Sequence, residues 1–213
     1  MPVLTKGDSN MIVMPASYSP ATVARSFKVI HEFELAGRPL QVIYDEGTPR
    51  AAIINGKTEN INGTERHRVI ASLDLTRRQT IGDDVIAVER FWQDPEIMQV
   101  EGVCVEPGAR DKGLATLLYE TLINQCGLIL MSNNEQYDGG KMLWQKIARE
   151  SSEIVVFVLD TDRGAFWPYD GSKIIYDGGS IPEEKIWSTH PDKTHWGVVL
   201  VAESKQRACR LMR

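Results

Sequence analysis

Short apolar runs, rich in β-branched residues and separated by polar turns, dominate the first half of the chain. The pattern predicts two strands over 26–34 and 40–44, joined by a turn at 36–39 into a hairpin. Further strands are predicted over 51–54, 68–75, 85–92 and 97–105. Asn55-Gly56 and Asn62-Gly63 are turn dipeptides, because both residue types accept positive φ at low cost. An antiparallel meander is therefore expected before the first helix.

The second half alternates helical and strand-like periods. Leucine and isoleucine recur at helical spacing over 113–126, and Gly127 suits the position just past a helix end. A second helix is predicted over 140–149. Short strands are predicted over 128–131, 154–159 and 197–202. Strands followed by alternating helices and strands indicate a mixed α/β fold.

Two stretches lack a sustained period. Residues 1–25 contain three prolines and several Ser and Thr residues, which predicts an irregular N-terminal arm. Residues 162–191 are rich in Gly, Pro and Asp and too long for an ordinary connection, so we expect an inserted excursion with some structure of its own. The rest of 26–213 is expected to form one domain.

Composition excludes several classes of protein. With 213 residues, 29 acidic and 24 basic side chains, the formal charge is −5, which argues against general attraction to nucleic acid or an anionic membrane. No apolar run approaches the roughly 20 residues of a membrane span, and the N-terminus lacks a secretory signal. Three separated cysteines fit reduced thiols. We therefore expect a cytoplasmic protein.

The most informative stretch is 103–118, in which a predicted strand ends at Pro107, the chain turns, and a helix begins near Gly113. Main-chain N–H groups from Arg110 to Ala115 have no acceptor inside such a helix. Together with the helix dipole they favour a phosphate or diphosphate. Small residues at 113 and 115 let that anion approach the backbone, and Arg110 and Lys112 add positive charge.

Arg110-x-x-Gly113-x-Ala115 after a strand resembles the acyl-CoA signature of the GNAT N-acetyltransferase family. The predicted strand, helix, short strand and second helix follow in the family's order, and the resemblance covers about residues 68–160. It implies a GNAT-like α/β fold with a mixed, mainly antiparallel sheet flanked by helices. It also implies acetyl-CoA as cosubstrate.

The resemblance assigns a set of residues to acetyl-CoA. The backbone of residues 103–105 would pair with the pantetheine arm, and the turn would hold the diphosphate. The implied cofactor-binding residues are Val103, Cys104, Val105, Arg110, Asp111, Lys112, Gly113, Leu114, Ala115, Thr116 and Asn134. An amine would then attack the thioester carbonyl, and a main-chain N–H of the strand would stabilise the oxyanion.

Proton transfer has several candidate residues. Glu101, two residues before the pantetheine strand, is the candidate base, although a solvated or salt-bridged strand glutamate is an equal interpretation. The family often has a tyrosine acid in its second helix, but Trp144 takes that place here, and an indole is a poor proton donor. Trp144 is predicted to be a core aromatic residue. Ser132, Asn134 or Tyr137 could assist the thiolate, or it could leave unprotonated.

No metal site is predicted, because the four histidines lack metal-ligand spacing and the segment 160–164 has only the start of a calcium loop.

The leading hypothesis, which the resemblance implies, is acetyl transfer from acetyl-CoA to an amine of an unknown acceptor. The alternative is a GNAT-like protein that kept the fold and serves as a binding or virion-associated structural protein. Residues 133–144 also resemble bacteriophage-encoded GNAT-like proteins, which would place the chain in the host cytoplasm. A second copy of the chain or a virion protein stays open as a partner.

Overall fold

A computed structural model describes residues 3–4, 14–78, 80–81, 84–85, 97–188 and 197–211. The strands are β1 (Val3–Leu4), β2 (Ser17–Tyr18), β3 (Lys28–Leu35), β4 (Arg38–Asp45), β5 (Arg50–Asn55), β6 (Glu59–Ile61), β7 (Thr64–Thr76), β8 (Thr80–Ile81), β9 (Asp84–Val85), β10 (Ile97–Val105), β11 (Ile129–Met131), β12 (Glu135–Gln136), β13 (Ile154–Asp160), β14 (Ala165–Phe166) and β15 (Val198–Ser204). The helices are α1 (Pro20–Ser26), α2 (Leu114–Gln125), α3 (Asp138–Glu150), α4 (Glu183–Ile186) and α5 (Lys205–Leu211).

The main sheet contains eleven of these strands and is mainly antiparallel. Nine of them follow the order β14-β13-β15-β11-β10-β7-β5-β4-β3, and β2 and β6 pair with β7. Within this sheet β10 and β11 run parallel, because α2 connects them as a crossover. The expected α/β fold with a mixed, mainly antiparallel sheet is thus confirmed at this coarse level.

The chain divides into two compact units, and the division falls within β10. One unit, here the strand-exchange unit, contains Met1–Ser9, Thr76–Glu101 and Gly127–Arg213. The other, here the meander unit, contains Asn10–Leu75 and Gly102–Cys126. Both are discontinuous in sequence, because the chain passes from one to the other and back.

The meander unit is built on antiparallel pairs of neighbouring strands. β3 pairs with β4, β4 with β5, and β5 with β7. Ile43, Ala52, Ile54 and Val69 form a buried cluster together with Val23 of α1. Helix α2 packs against β5 and β3 through a buried stripe. That stripe consists of Leu114, Leu118, Tyr119, Thr121, Leu122 and Ile123.

The strand-exchange unit places β15 between β13 and β11, antiparallel to both. Every residue of β13 is buried, which agrees with the unbroken apolar run at 154–159. Helix α3 packs against β13, and α5 packs against β13 and β15. One core cluster joins the strands through Ile97, Ile129, Met131, Leu159, Val199 and Val201.

The predicted irregular arm over 1–25 is wrong for its last part. β2 and α1 lie there, and Ser26, predicted to begin a strand, is the last residue of α1. The helix begins at a cap, because the Ser19 side chain accepts the Thr22 N–H at 3.0 Å and Pro20 occupies the first helical position. Seven residues are too few for a visible helical period.

Other predicted elements match with shifted ends. The helices at 113–126 and 140–149 are α2 and α3, and the strands at 128–131, 154–159 and 197–202 are β11, β13 and β15. The predicted strand over 85–92 lies outside the described residues except for Val85, which belongs to β9. The excursion after β13 contains β14 and α4, and Tyr176 forms an isolated bridge with Val156.

Candidate functional site

The turn before α2 has two residues in the left-handed region. A 3-10 turn over Pro107–Ala109 follows β10, after which Asp111 has φ +62° and Gly113 has φ +74°. Left-handed backbone costs a residue with a side chain more than it costs glycine, so Gly113 suits this place and Asp111 is one of the polar types that tolerate it. A Cβ at Gly113 would meet no heavy atom within 4 Å. The space beside Gly113 is therefore open.

The main-chain donors of this turn are available. Within the described residues, no protein group accepts the N–H of Asp111, Lys112, Gly113, Leu114, Ala115 or Thr116, and no side chain caps α2. Leu117 is the first residue whose N–H bonds inside the helix, to the Gly113 carbonyl at 2.9 Å. The Arg110 N–H, expected to be free, instead donates to the Pro107 carbonyl at 3.4 Å. The open donors thus begin one residue later than predicted.

Two cations border these donors. Arg110 and Lys112 are exposed, and neither makes an ion pair with any described residue. Their side chains turn back onto loop carbonyls: Arg110 Nε donates to Val105 O at 3.4 Å, and Lys112 Nζ to Gly108 O at 3.1 Å. Neither cation is therefore paired with a carboxylate in the part of the chain that the structure describes, which suits an anionic ligand.

The end of β10 contains Val103, Cys104 and Val105, all half-buried. The Glu106 N–H donates to the Ile70 carbonyl at 2.8 Å, and the Glu106 carboxylate pairs with Arg68, which fixes the strand end against β7. Burial raises the pKa of the Cys104 thiol; Asp74 raises it further, and Arg110 opposes the shift. Cys104 is therefore mainly a neutral thiol near pH 7.

Glu101, Ser132 and Asn134 lie in the strand-exchange unit. β10 and β11 run parallel, and Gln99 pairs with Met131. Glu101 and Asn133 therefore each lie two residues beyond this pair. Asn133 Nδ2 donates to Glu101 Oε2 at 3.5 Å. Asn133 was not among the predicted site residues. The available signal was its place just after a strand that runs parallel to its neighbour, where polar residues of parallel strands meet.

Ser132 and Asn134 are both buried. The Ser132 Oγ accepts the Leu200 N–H at 3.0 Å, and the Ser132 N–H donates to the Leu200 carbonyl at 2.8 Å, so this residue extends the pairing toward β15. Its hydroxyl hydrogen can still serve another acceptor. The Asn134 Nδ2 is buried and has no hydrogen-bond partner among the described residues. A buried amide donor without an acceptor is costly, which makes it a candidate ligand contact.

Helix α3 and its N-cap provide the two aromatic residues considered for proton transfer. Trp144 is 1% exposed and belongs to the buried face of the helix, as predicted for a core residue. Tyr137 is the exposed N-cap residue of α3. Tyr137 is therefore the more exposed of the two side chains.

The described residues contain no group of three or more His, Cys, Asp or Glu side chains that could hold a metal ion. The segment 160–164 forms a turn in which Asp160 Oδ1 accepts the N–H groups of Asp162 and Arg163, each at 3.0 Å. No described helix is long and apolar enough to cross a membrane. No protein-family model, curated protein or solved structure matches the chain.

Proposed function

We propose that this chain transfers an acetyl group from acetyl-CoA to an amine. The observation that carries the proposal is the run of main-chain donors from Asp111 to Thr116, which no described group accepts, beside Arg110 and Lys112, which pair with no described carboxylate. Such an array suits the diphosphate of CoA, because fixed N–H dipoles and the helix terminus stabilise negative charge without reorganising. The resemblance to the GNAT signature selects CoA among diphosphate ligands.

The order of elements supports a GNAT-like fold. β10, the turn, α2, β11 and α3 come in the order that the resemblance implies, with the two-residue β12 between β11 and α3. On this proposal the pantetheine arm pairs with the backbone of Val103–Val105 by strand addition. The thioester would then lie along β10 near Glu101.

The chemical step would be direct attack of the neutral amine. The amine nitrogen forms a bond to the thioester carbonyl carbon, the carbon–sulfur bond breaks, and CoA leaves as a thiolate. The proton lost by the amine passes to the Glu101 carboxylate, directly or through water. A donor such as the Tyr137 hydroxyl would protonate the thiolate, since the buried Trp144 indole is no acid.

The alternative is a GNAT-like protein that binds CoA without turnover. The placement of Trp144 in the core favours it, because the family's usual acid position is then occupied by a structural residue. The two functions share the diphosphate site and differ only in the proton-transfer groups.

The test begins with binding and continues with turnover. CoA titrated into the purified chain should raise its apparent melting temperature, because a ligand of the native state alone stabilises that state. Acetyl-CoA hydrolysis and acetyl transfer are then followed with a panel of primary amines. Amine-stimulated release of CoA supports the transferase, and binding without release supports the alternative. If calorimetry detects no CoA binding, both are overturned.

A further inference from the structure

We propose that Asn133 is a positioning residue that holds the Glu101 carboxylate for proton transfer, an inference that rests on the proposed function. The two side chains lie within the strand-exchange unit, each two residues past the Gln99–Met131 pair of β10 and β11. Glu101 is exposed, so without a neighbouring donor its carboxylate would sample several rotamers. A base that must meet an amine needs a fixed position.

The orientation of the Asn133 amide follows from its neighbours. The Asn134 N–H lies 2.6 Å from Asn133 Oδ1, and the Glu135 N–H lies 3.5 Å from the same atom. A main-chain N–H can only donate, so the atom that it faces must be the oxygen. The other end of the amide, Nδ2, is then necessarily the group that faces Glu101 Oε2.

Strand β10 holds the same amide from the other side. Gln99 is almost fully buried, and its Nε2 lies 3.5 Å from Asn133 Oδ1. Gln99 and Glu101 are two residues apart and therefore share a face of the strand. Asn133 is thus held by a buried residue of β10 and by the turn after β11. Its amide donor, Nδ2, faces the Glu101 carboxylate. The 3.5 Å separation is long, as is common before a substrate closes the site.

This arrangement separates a structural role of Asn133 from a positioning role. The Oδ1 atom supports the turn through Asn134 N–H, whereas Nδ2 serves Glu101. Asn133→Asp keeps an oxygen for the turn, loses the donor and places a second negative charge beside Glu101. Asn133→Ala loses both functions.

We expect Asn133→Asp to unfold near the wild-type temperature and to lower kcat for amine acetylation by roughly tenfold or more, part of the 10²–10⁴-fold that a general base contributes. The KM for acetyl-CoA should stay within about twofold of the wild-type value, since the change does not alter the groups that bind acetyl-CoA in the ground state. Asn124→Asp, an exposed change of the same chemistry on α2, is the matched control and should leave kcat unchanged. Wild-type kcat in Asn133→Asp would overturn the proposal.

A second readout does not depend on turnover. In an amide ¹⁵N–¹H spectrum, the Asn133 side-chain protons should move upfield in Glu101→Gln, because a bond to a carboxylate is stronger than one to an amide oxygen. The Asn124 side-chain signals should stay in place. If the wild-type chain shows no acetyl transfer, the proposed function fails, and this spectrum still decides whether Asn133 holds Glu101. Unmoved Asn133 signals would contradict the inference.

Discussion

At the scale of single residues, Gly113 joins backbone conformation to ligand recognition. Its φ of +74° starts α2, and the space where a side chain would stand is open. A side chain there would be strained by the backbone, and a charged one would add its charge beside the open N–H groups of the turn. These two effects need to be separated in any test of the diphosphate site.

Gly113→Glu should weaken CoA binding by about 100-fold or more, because a carboxylate beside the diphosphate adds like-charge repulsion of several kcal/mol. Gly63→Glu is the matched control. Gly63 also lies in the meander unit, has φ +81°, and would have an open Cβ position, so strain and added charge are equal. Calorimetry with CoA should show wild-type affinity for Gly63→Glu only. Equal affinity of both variants for CoA would show that the diphosphate does not bind at this turn.

Trp144 lies at a position where the resemblance implies a tyrosine acid, but its side chain serves packing instead. Its side chain is 1% exposed, so Trp144→Ala should lower the free energy of unfolding by about 3–5 kcal/mol through lost burial and a cavity. Trp144→Tyr should not raise turnover, since the new hydroxyl would also be buried. Met142→Ala, on the exposed face of the same helix, should change stability by about 0.5 kcal/mol or less. Urea unfolding and acetyl-CoA turnover measure both effects, and faster turnover in Trp144→Tyr would contradict this interpretation.

At the scale of elements, β10 belongs to both units. Its first residues pair with β11, whereas its last residue is followed by the Glu106–Ile70 bond that fixes the strand end to β7. The strand therefore continues six residues beyond the Gln99–Met131 pair, and the proposal assigns the backbone of the last three, Val103–Val105, to pantetheine. Cys104 reports on this segment, because its thiol can be modified chemically.

CoA should slow the alkylation of Cys104 by iodoacetamide and leave that of Cys209 unchanged. Burial raises the pKa of the Cys104 thiol, so its thiolate fraction at pH 8 should be below that of an ordinary cysteine. The alkylation rate of Cys104 should therefore be lower than that of an ordinary cysteine at pH 8 and should rise toward higher pH. Cys209 is exposed on α5 and serves as the internal control. Peptide mass spectrometry measures both rates with and without CoA. If CoA binds but does not protect Cys104, pantetheine does not lie on this part of β10.

At the scale of the whole molecule, the sequence predicted the elements that have long apolar periods and missed those fixed by local chemistry. The stripe of α2 and the apolar run of β13 are visible because each is longer than two periods. Helix α1 was missed because a cap and a proline define it in seven residues. The pairing of β15 between β13 and β11 joins segments far apart in the chain, so no local pattern encodes it.

The candidate site was predictable to different degrees for the same reason. The open turn before α2 lies within one short stretch, so residue type and spacing predicted it, apart from the Arg110 N–H. The contact between Asn133 and Glu101 depends on the register of two parallel strands separated by a helix. Sequence spacing alone cannot fix that register, and Asn133 was missed.

The excursion after β13 is held to the sheet by a lysine that the sequence did not single out. Lys173 Nζ lies 2.6 Å from Glu203 Oε1, and it stands 4.0 Å from the Phe157 ring centre and 4.9 Å from that of Phe166. Glu203 is fully buried on β15, and its Oε2 has no hydrogen-bond partner among the described residues. Lys173 is the one cation among the described residues that pairs with Glu203, and a buried carboxylate depends on such a partner.

Lys173→Met should lower the free energy of unfolding by about 3–5 kcal/mol, because it leaves the Glu203 charge buried and unpaired. Lys28→Met is the matched control: Lys28 pairs with Glu46 at 3.4 Å, but both side chains are exposed, so the loss should be about 0–1 kcal/mol. In the double variant Lys173→Met/Glu203→Met most of the stability should return, since no buried charge remains. Denaturant unfolding of the three variants measures these differences. Equal losses of unfolding free energy for Lys173→Met and Lys28→Met would contradict this prediction. Glu203 would then reach water or another donor once the lysine is gone, and the aromatic contacts would hold the excursion instead.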